Sequence, residues 1–280
     1  MYALVALGFF LIYKTTRIFH FAHGVIFTIS AYFTYFFYIA LHLSFVLSLF
    51  LVLIVSSVIG VIIEILIYRP LRKQEASPLV LLISSLGVFV FLQNLVVLVA
   101  GTDTRIVVGE IGDKVKIGYS ISGVTFTLIH VVTILVTIMA YVFVYYYMKK
   151  SKNGKAIRAV ASDPLMSEIV GVDVPKVYLL VFCLGSVFAA LAGLLTSMDT
   201  GMDPWMGTNA VLMATIAVII GGLDIFWGAA LGGLFIGLAQ NIGIWQLPSK
   251  WQSAIAFALL MFFIIFRPKG ILAQPMKGRK

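Results

Sequence analysis

Apolar residues run along this chain in nine long blocks, near 1–13, 19–40, 45–68, 79–100, 125–148, 176–198, 207–223, 225–241 and 251–267, with polar or Gly/Pro-marked breaks between them. About 20 apolar residues carry a helix across roughly 30 Å of hydrocarbon, and most of the blocks reach or approach that length. No water reaches the backbone there, so a spanning segment must satisfy its own N–H and C=O groups. The pattern therefore predicts an all-α, polytopic membrane bundle of eight to nine transmembrane helices.

Two blocks are less regular. The opening "MYALVALGFFLIY" is shorter than the roughly 17 residues a crossing needs, so this helix is expected to be partial or to begin upstream. It has no basic leader region and no small-residue cleavage site, so removal as a signal peptide is not expected. The blocks within 207–241 flank a very short Gly-rich turn, Gly221 to Asp224. They read either as two crossings or as a re-entrant hairpin of half-helices, and either version returns the chain to the same side.

Composition supports the class: 61% of the 280 residues are hydrophobic and 11% charged, with a mean hydropathy of +1.08, against about 25% charged in soluble domains. Residues 1–280 read as one transmembrane domain. The single cysteine, Cys183, excludes an intrachain disulfide and reads as a small core residue. Charge then orients the bundle. Loops 14–17, 69–78 and 149–176 and the tail 267–280 hold 16 of the 20 basic residues, leaving Arg105, Lys114, Lys116 and Lys250 for the other side. This asymmetry predicts an outside N-terminus and a cytoplasmic C-terminus. It also explains the net charge of +9 through an anionic leaflet, with no nucleic acid needed.

The inside loop 149–176, "KKSKNGKAIRAVASDPLMSEIVGVDVPK", is long for a connection within a bundle. A short helical stretch carrying Leu165, Met166 and Ile169 is expected to end at Gly171, a residue suited to the position after a helix. Such an amphipathic segment either lies on the lipid surface or docks into a groove on a partner.

Polar residues elsewhere are sparse. His20 and His23 stand three apart beside Lys14 and Arg17, a spacing that puts both rings on one side of a helix near the inner face. Zinc needs three or four ligands, and the remaining histidines, His42 and His130, are expected near the opposite face. The pair is expected instead to hydrogen-bond around a break or tight packing at Gly24. Glu64, the one acid in an apolar run, is expected to pair with Arg69 or to snorkel. Gln93, Asn94, Thr215, Gln240 and Asn241 are expected to face the bundle interior or a pathway, because polar groups are costly in lipid. Small residues at four-residue spacing (Gly228 and Gly232; Ala229, Gly233 and Gly237; Gly185, Ala189 and Gly193) read as close helix packing, with a lining role for Gly221 and Gly222 as the alternative. "NGKAIR" lacks the first glycine and the Ser/Thr of a phosphate loop, and no catalytic set or metal-ligand cluster can be assembled, so neither an enzyme nor a cofactor is expected.

Several stretches carry a family likeness in order along the chain: "YALVALGFFLIY", "FAHG", "YRPLR", "LISSLGVFVFLQNL", "GKAIRAVASDPLMSEIVGVDV", "LGSVFAALAGLL", "IAVIIGGLDIFWGAALGGLFIGL" and "FRPKGIL". Together they resemble the inner-membrane permeases of ABC importers for branched-chain amino acids, whose relatives handle urea and short amides. The family usually reads Asn-Phe-Ala-His-Gly where this chain has His20-Phe21-Ala22-His23-Gly24, and the chain starts inside the family's first helix. The resemblance implies a bacterial inner-membrane subunit paired with a second homologous permease, two cytoplasmic ABC ATPases and an external solute-binding protein. It implies that 149–176 is the coupling segment, with Arg158, Asp163, Leu165, Met166, Glu168, Ile169 and Gly171 meeting the ATPase. His20, His23, Gly24, Gln93, Asn94, Gly221 and Gly222 are the candidates for the pathway or a helix break. The other class open to such a composition is a self-contained secondary transporter or channel, which normally carries membrane-embedded ionisable groups or broken helices.

The charge asymmetry makes a topological prediction. Single cysteines at Gly109 and Lys152 in a Cys183→Ala background are expected to react with a membrane-impermeant maleimide from opposite sides of the membrane. Labelling of both from outside would reverse the orientation.

Overall fold

The computed structural model describes residues 1–107, 118–121, 124–267 and 270–272. Gly109, Lys114, Lys116 and the basic tail beyond 272 lie outside the described residues. The described residues form eleven helices: α1 (Tyr2–Thr16), α2 (Ala22–Ala40), α3 (Phe45–Lys73), α4 (Pro78–Ala100), α5 (Leu128–Lys150), α6 (Lys152–Ser162), α7 (Pro164–Ile169), α8 (Val174–Asp199), α9 (Met206–Gly221), α10 (Phe226–Gln246) and α11 (Ser249–Phe266). Among the described residues, seven are long and apolar enough to cross a membrane: α2, α3, α4, α5, α8, α10 and α11. The two shorter apolar helices are α1 and α9. These nine correspond to the nine apolar blocks.

Three features refine the sequence reading. Residues 124–127 do not open a helix. The β-branched run Val124-Thr125-Phe126-Thr127 pairs as β2 (Val124–Thr127) with β1 (Gly118–Ile121) in an antiparallel hairpin, and α5 begins only at Leu128. The 207–241 region, read as two crossings or a re-entrant hairpin, forms α10 of 21 residues beside the shorter α9 of 16. The loop 149–176 holds two helices, α6 and α7, separated by Asp163.

Helix α8 lies at the centre, packed on α1, α2 and α3. Asp173 caps its start, its carboxylate accepting from the Lys176 amide at 3.1 Å, and Pro175 occupies the first turn, where no hydrogen-bond donor is needed. Small residues set the approach of its neighbours. Gly185 faces Gly8 and Ile12 of α1, Ser186 fills the space beside Gly60 of α3, and Gly193 meets Phe27 and Ser30 of α2. In lipid no hydrophobic force drives helices together, so close dispersion contact at small residues supplies the cohesion. The antiparallel α9–α10 hairpin is built likewise, with Gly221 against Gly228 and Ala217 against Gly232, while Gly233 sits on Ala3 of α1.

Outward faces remain apolar. Only 22% of the spanning window of α4 and 6% of that of α11 is buried within the chain. Asn94 and Asn241, expected to face the bundle interior or a pathway, do not enter the interior of this subunit. Both are exposed, and each satisfies its amide on a carbonyl one turn back in its own helix, Val90 and Gly237, at 2.7 Å. Thr215 and Gln240 are buried as expected, Gln240 donating to the Gln252 carbonyl at 3.0 Å. Glu64, buried in a π-helical stretch of α3 (Glu64–Tyr68), pairs with Arg72 and not with Arg69. Arg72 is drawn inward by the Tyr178 ring of α8, 4.3 Å from its guanidinium, whereas Arg69 is exposed.

Gly24 of α2 and Gly207 of α9 face one another so closely that a Cβ on either would strike the other's carbonyl oxygen. Gly24→Val or Gly207→Val is expected to lower the stability of the detergent-solubilised protein by about 1–3 kcal/mol. Gly87→Val on α4, with nothing within 4 Å of the added carbon, is expected to leave it unchanged. The check is the thermal midpoint followed by size-exclusion chromatography.

Candidate functional site

Two places carry chemistry beyond packing: a buried polar seam and an exposed helical cap. The seam begins where α1 ends. Arg17 adopts a left-handed conformation at φ 58°, and residues 18–21 turn back along α1 instead of continuing outward. The ring of Phe19 lies 4.6 Å from that of Tyr13, and His23, in the first turn of α2, donates from Nε2 to the Val5 carbonyl at 3.1 Å. Thus α2 starts back along α1 from the level of Arg17. Non-helical backbone at such depth is tolerated where protein surrounds it, and Ile18 and His20 are buried.

His20 lies in this break and not on a helix, which corrects the reading of both histidines on one helical face. The rings still meet, with centroids 6.1 Å apart. His20 Nδ1 is 2.8 Å from the Tyr68 hydroxyl, and Phe182 of α8 presses against its ring at 5.0 Å. Ser85 of α4 joins the same break, its hydroxyl accepting from the Ala22 amide at 3.3 Å. One seam thereby ties the break to α1, α3 and α4. Tyr68 and Ser85 were missed in the sequence. Tyr68 begins the "YRPLR" stretch, but nothing in the chain signals which histidine it meets.

The other pathway candidates lie apart from the seam. Gln93, nearly buried, donates to the Pro204 carbonyl at 3.4 Å and the Thr208 hydroxyl at 3.3 Å, joining α4 to the start of α9 at the opposite end of the bundle. Asn94 faces outward. Gly221 abuts Gly228, and Gly222 ends α9 in a backbone conformation, φ 108°, that side chains resist. Beside this turn stands Asp224, which sequence reasoning left without a partner. Its carboxylate receives Lys14 Nζ at 2.5 Å and Arg17 at 3.2 Å. The hydrogen bond from Lys14 holds the Asp224 carboxyl below its ordinary value near 3.8.

The cap is α7. Asp163 opens it, its side chain accepting from the Met166 amide at 3.0 Å, so this carboxylate is committed to the helix start. Ser167 is the buried residue of α7 and donates back to the Asp163 carbonyl at 2.7 Å. After Val170, Gly171 turns at φ 87°, and the Val172 amide returns to the Ser167 carbonyl. Leu165, Met166 and Ile169 are held outward, 75%, 58% and 76% exposed. Arg158 of α6 and Glu168 are also exposed.

The family described as "Branched-chain amino acid transport system / permease component" matches residues 1–264. The chain belongs to the branched-chain amino acid transport permease family. It is 31% identical to the high-affinity branched-chain amino acid transport system permease protein BraD of Pseudomonas aeruginosa, over 98% of this chain and 92% of that protein. It is 30% identical to LivH of Escherichia coli K12, with the same coverage. It is 28% identical to a probable LivH of Methanocaldococcus jannaschii, over 99% of this chain and 90% of that protein. No solved structure shows significant similarity to it. The permease is accordingly a multi-pass, non-catalytic membrane component of an ABC transport system.

In the permease, the His20–Tyr68 contact is a bond between two fully buried groups, and removing one partner strands the other. Tyr68→Phe is expected to cost about 1–3 kcal/mol, and the pair Tyr68→Phe/His20→Leu less than the sum of the single changes. A double-mutant cycle on thermal unfolding in detergent measures the coupling, and strict additivity would deny it.

Proposed function

We propose that the permease is the translocation subunit of an importer for branched-chain amino acids in a bacterial inner membrane. Its N-terminus faces outward and its C-terminus the cytoplasm. It pairs with a second homologous permease, is driven by two cytoplasmic ABC ATPases and receives substrate from an external solute-binding protein. The names of BraD and LivH support the substrate class. The grouping of Lys14, Arg17, Arg72, Lys149 and Arg158 at the same end of the bundle supports the orientation.

The observation that carries the coupling role is the outward set of Leu165, Met166 and Ile169 on a helix closed at both ends. Three large apolar side chains on a capped, six-residue helix form a ready knob for a groove on the ATPase. Arg158 and Glu168 flank that knob as rim charges, and Asp163 and Gly171 hold its shape. On the pathway side, the break at 18–21, fixed by His20 and His23 and packed at Gly24, is the irregular segment that this subunit contributes. Gln93 braces the outer end of α4, and Gly221 and Gly222 shape the inner turn.

Truncating the knob is expected to weaken assembly more than neutralising its rim. Leu165→Ala or Met166→Ala removes contacts worth about 2–5 kcal/mol in a packed interface, whereas an exposed ion pair contributes about 0–1. Gly171→Val is expected to act like the truncations, because φ 87° excludes a β-branched side chain. The measurement is ATPase recovered with each variant, alongside hydrolysis stimulated by binding protein loaded with leucine or with urea in reconstituted vesicles. Full recovery with all three variants would rule out the docking knob, and stimulation by urea alone would overturn the substrate class.

A further inference from the structure

A cleft of about 680 Å³ opens at the basic end of the bundle, where the last turns of α1 and α5 meet α6 and the α9–α10 turn. Its floor is apolar, made by Phe10, Met148, Phe226 and Trp227. Its rim carries Lys14, Arg17, Lys149 and Arg158 against the single carboxylate of Asp224. That carboxylate already serves two cations. Among the described residues, Lys149 reaches only the hydroxyl and the ring face of Tyr145, at 3.4 Å and 5.5 Å. Arg158 has no ion pair or hydrogen bond among the described residues. The rim is thus electropositive and short of anions.

We propose that this cleft binds the phosphate of an anionic phospholipid. Aromatic rings sit where a headgroup boundary requires them: Trp227 packs on Tyr145 at 5.7 Å and remains 46% exposed at the start of α10. From the cleft, the outward faces of α5 and α10 continue as exposed apolar strips, Val142 and Met139 on one and Leu231 and Leu234 on the other. A basic pocket opening between spanning helices onto such strips fits a phosphate head with its acyl chains, since the strips offer a free phosphate ion nothing. Lys149 and Arg158 meet the phosphate, and Lys14 and Arg17 remain clasped to Asp224. The exposed apolar side of α7 takes no part, so the lipid site shares with the coupling surface only the rim residue Arg158.

The test is native mass spectrometry of the full chain in detergent, titrated with phosphatidylglycerol or phosphatidylcholine. The wild-type chain is expected to retain one phosphatidylglycerol in preference to phosphatidylcholine. Lys149→Gln/Arg158→Gln is expected to lower that retention about tenfold, and Lys250→Gln, at the opposite end, to leave it unchanged. Lys149→Arg, which keeps the charge, is expected to bind as the wild type does and guards against a folding defect. Equal retention of both lipids, or equal phosphatidylglycerol retention by the double variant, would overturn the proposal. Displacement of the lipid by equimolar inorganic phosphate would make this a free-anion site and also overturn it. Loss of ATPase recovery with unchanged lipid retention would make the cleft a protein socket instead.

Discussion

The bundle depends on how closely its backbones approach one another. A lipid tail is as apolar as a leucine, so burying more hydrocarbon between two spanning helices gains little, and cohesion must come from dispersion at short range. Small residues permit that range. Along α8 they bring in α1, α2 and α3, and in the α9–α10 hairpin they bring Gly221 to Gly228 and Ala217 to Gly232. Gly24 and Gly207 then lock α2 to α9, joining the two assemblies. Every other feature, including the seam and the outward cap, hangs on this frame.

The frame makes room for one irregular segment. Residues 18–21 leave the helical ladder within the bundle, and the freed polar groups need partners that lipid cannot provide. Short turn bonds supply some, from His23 N to the His20 carbonyl and from Gly24 N to the Phe21 carbonyl. Side chains add further ties: Ser85 accepts from Ala22, His23 returns to Val5, and His20 meets Tyr68. The histidine at position 20 thus finds a polar neighbour, with its ring wedged against Phe182.

Much of this was legible in the chain because hydropathy dominates a membrane protein. The nine blocks, the two short ones and the turn at Gly171 all followed from patterns within a few residues of one another. What escaped required knowledge of distant partners. Nothing near Asp224 announces Lys14 and Arg17, more than 200 positions away. Glu64 was assigned to the nearer arginine because the pull of Tyr178 on Arg72 is invisible in one dimension. Asn94 and Asn241 find no partner in the bundle interior for a local reason: an amide bonded to its own helix needs no neighbour within the chain. The hairpin at 118–127 was masked by the apolar block that follows it.

The contrast between α8 and α11 bears on how far such a chain can drift. Side chains of α11 need little more than greasiness, since only 6% of its spanning window is buried within the chain. At Gly185, Gly193, Gly24 and Gly207 even one added carbon meets its neighbours at less than contact distance. Tolerance to change is therefore governed by volume at a few points and by polarity over the remainder. Two chains alike at fewer than a third of their positions can hold the same architecture under so sparse a rule, and an altered residue on α11 says far less about divergence of function than one on α8.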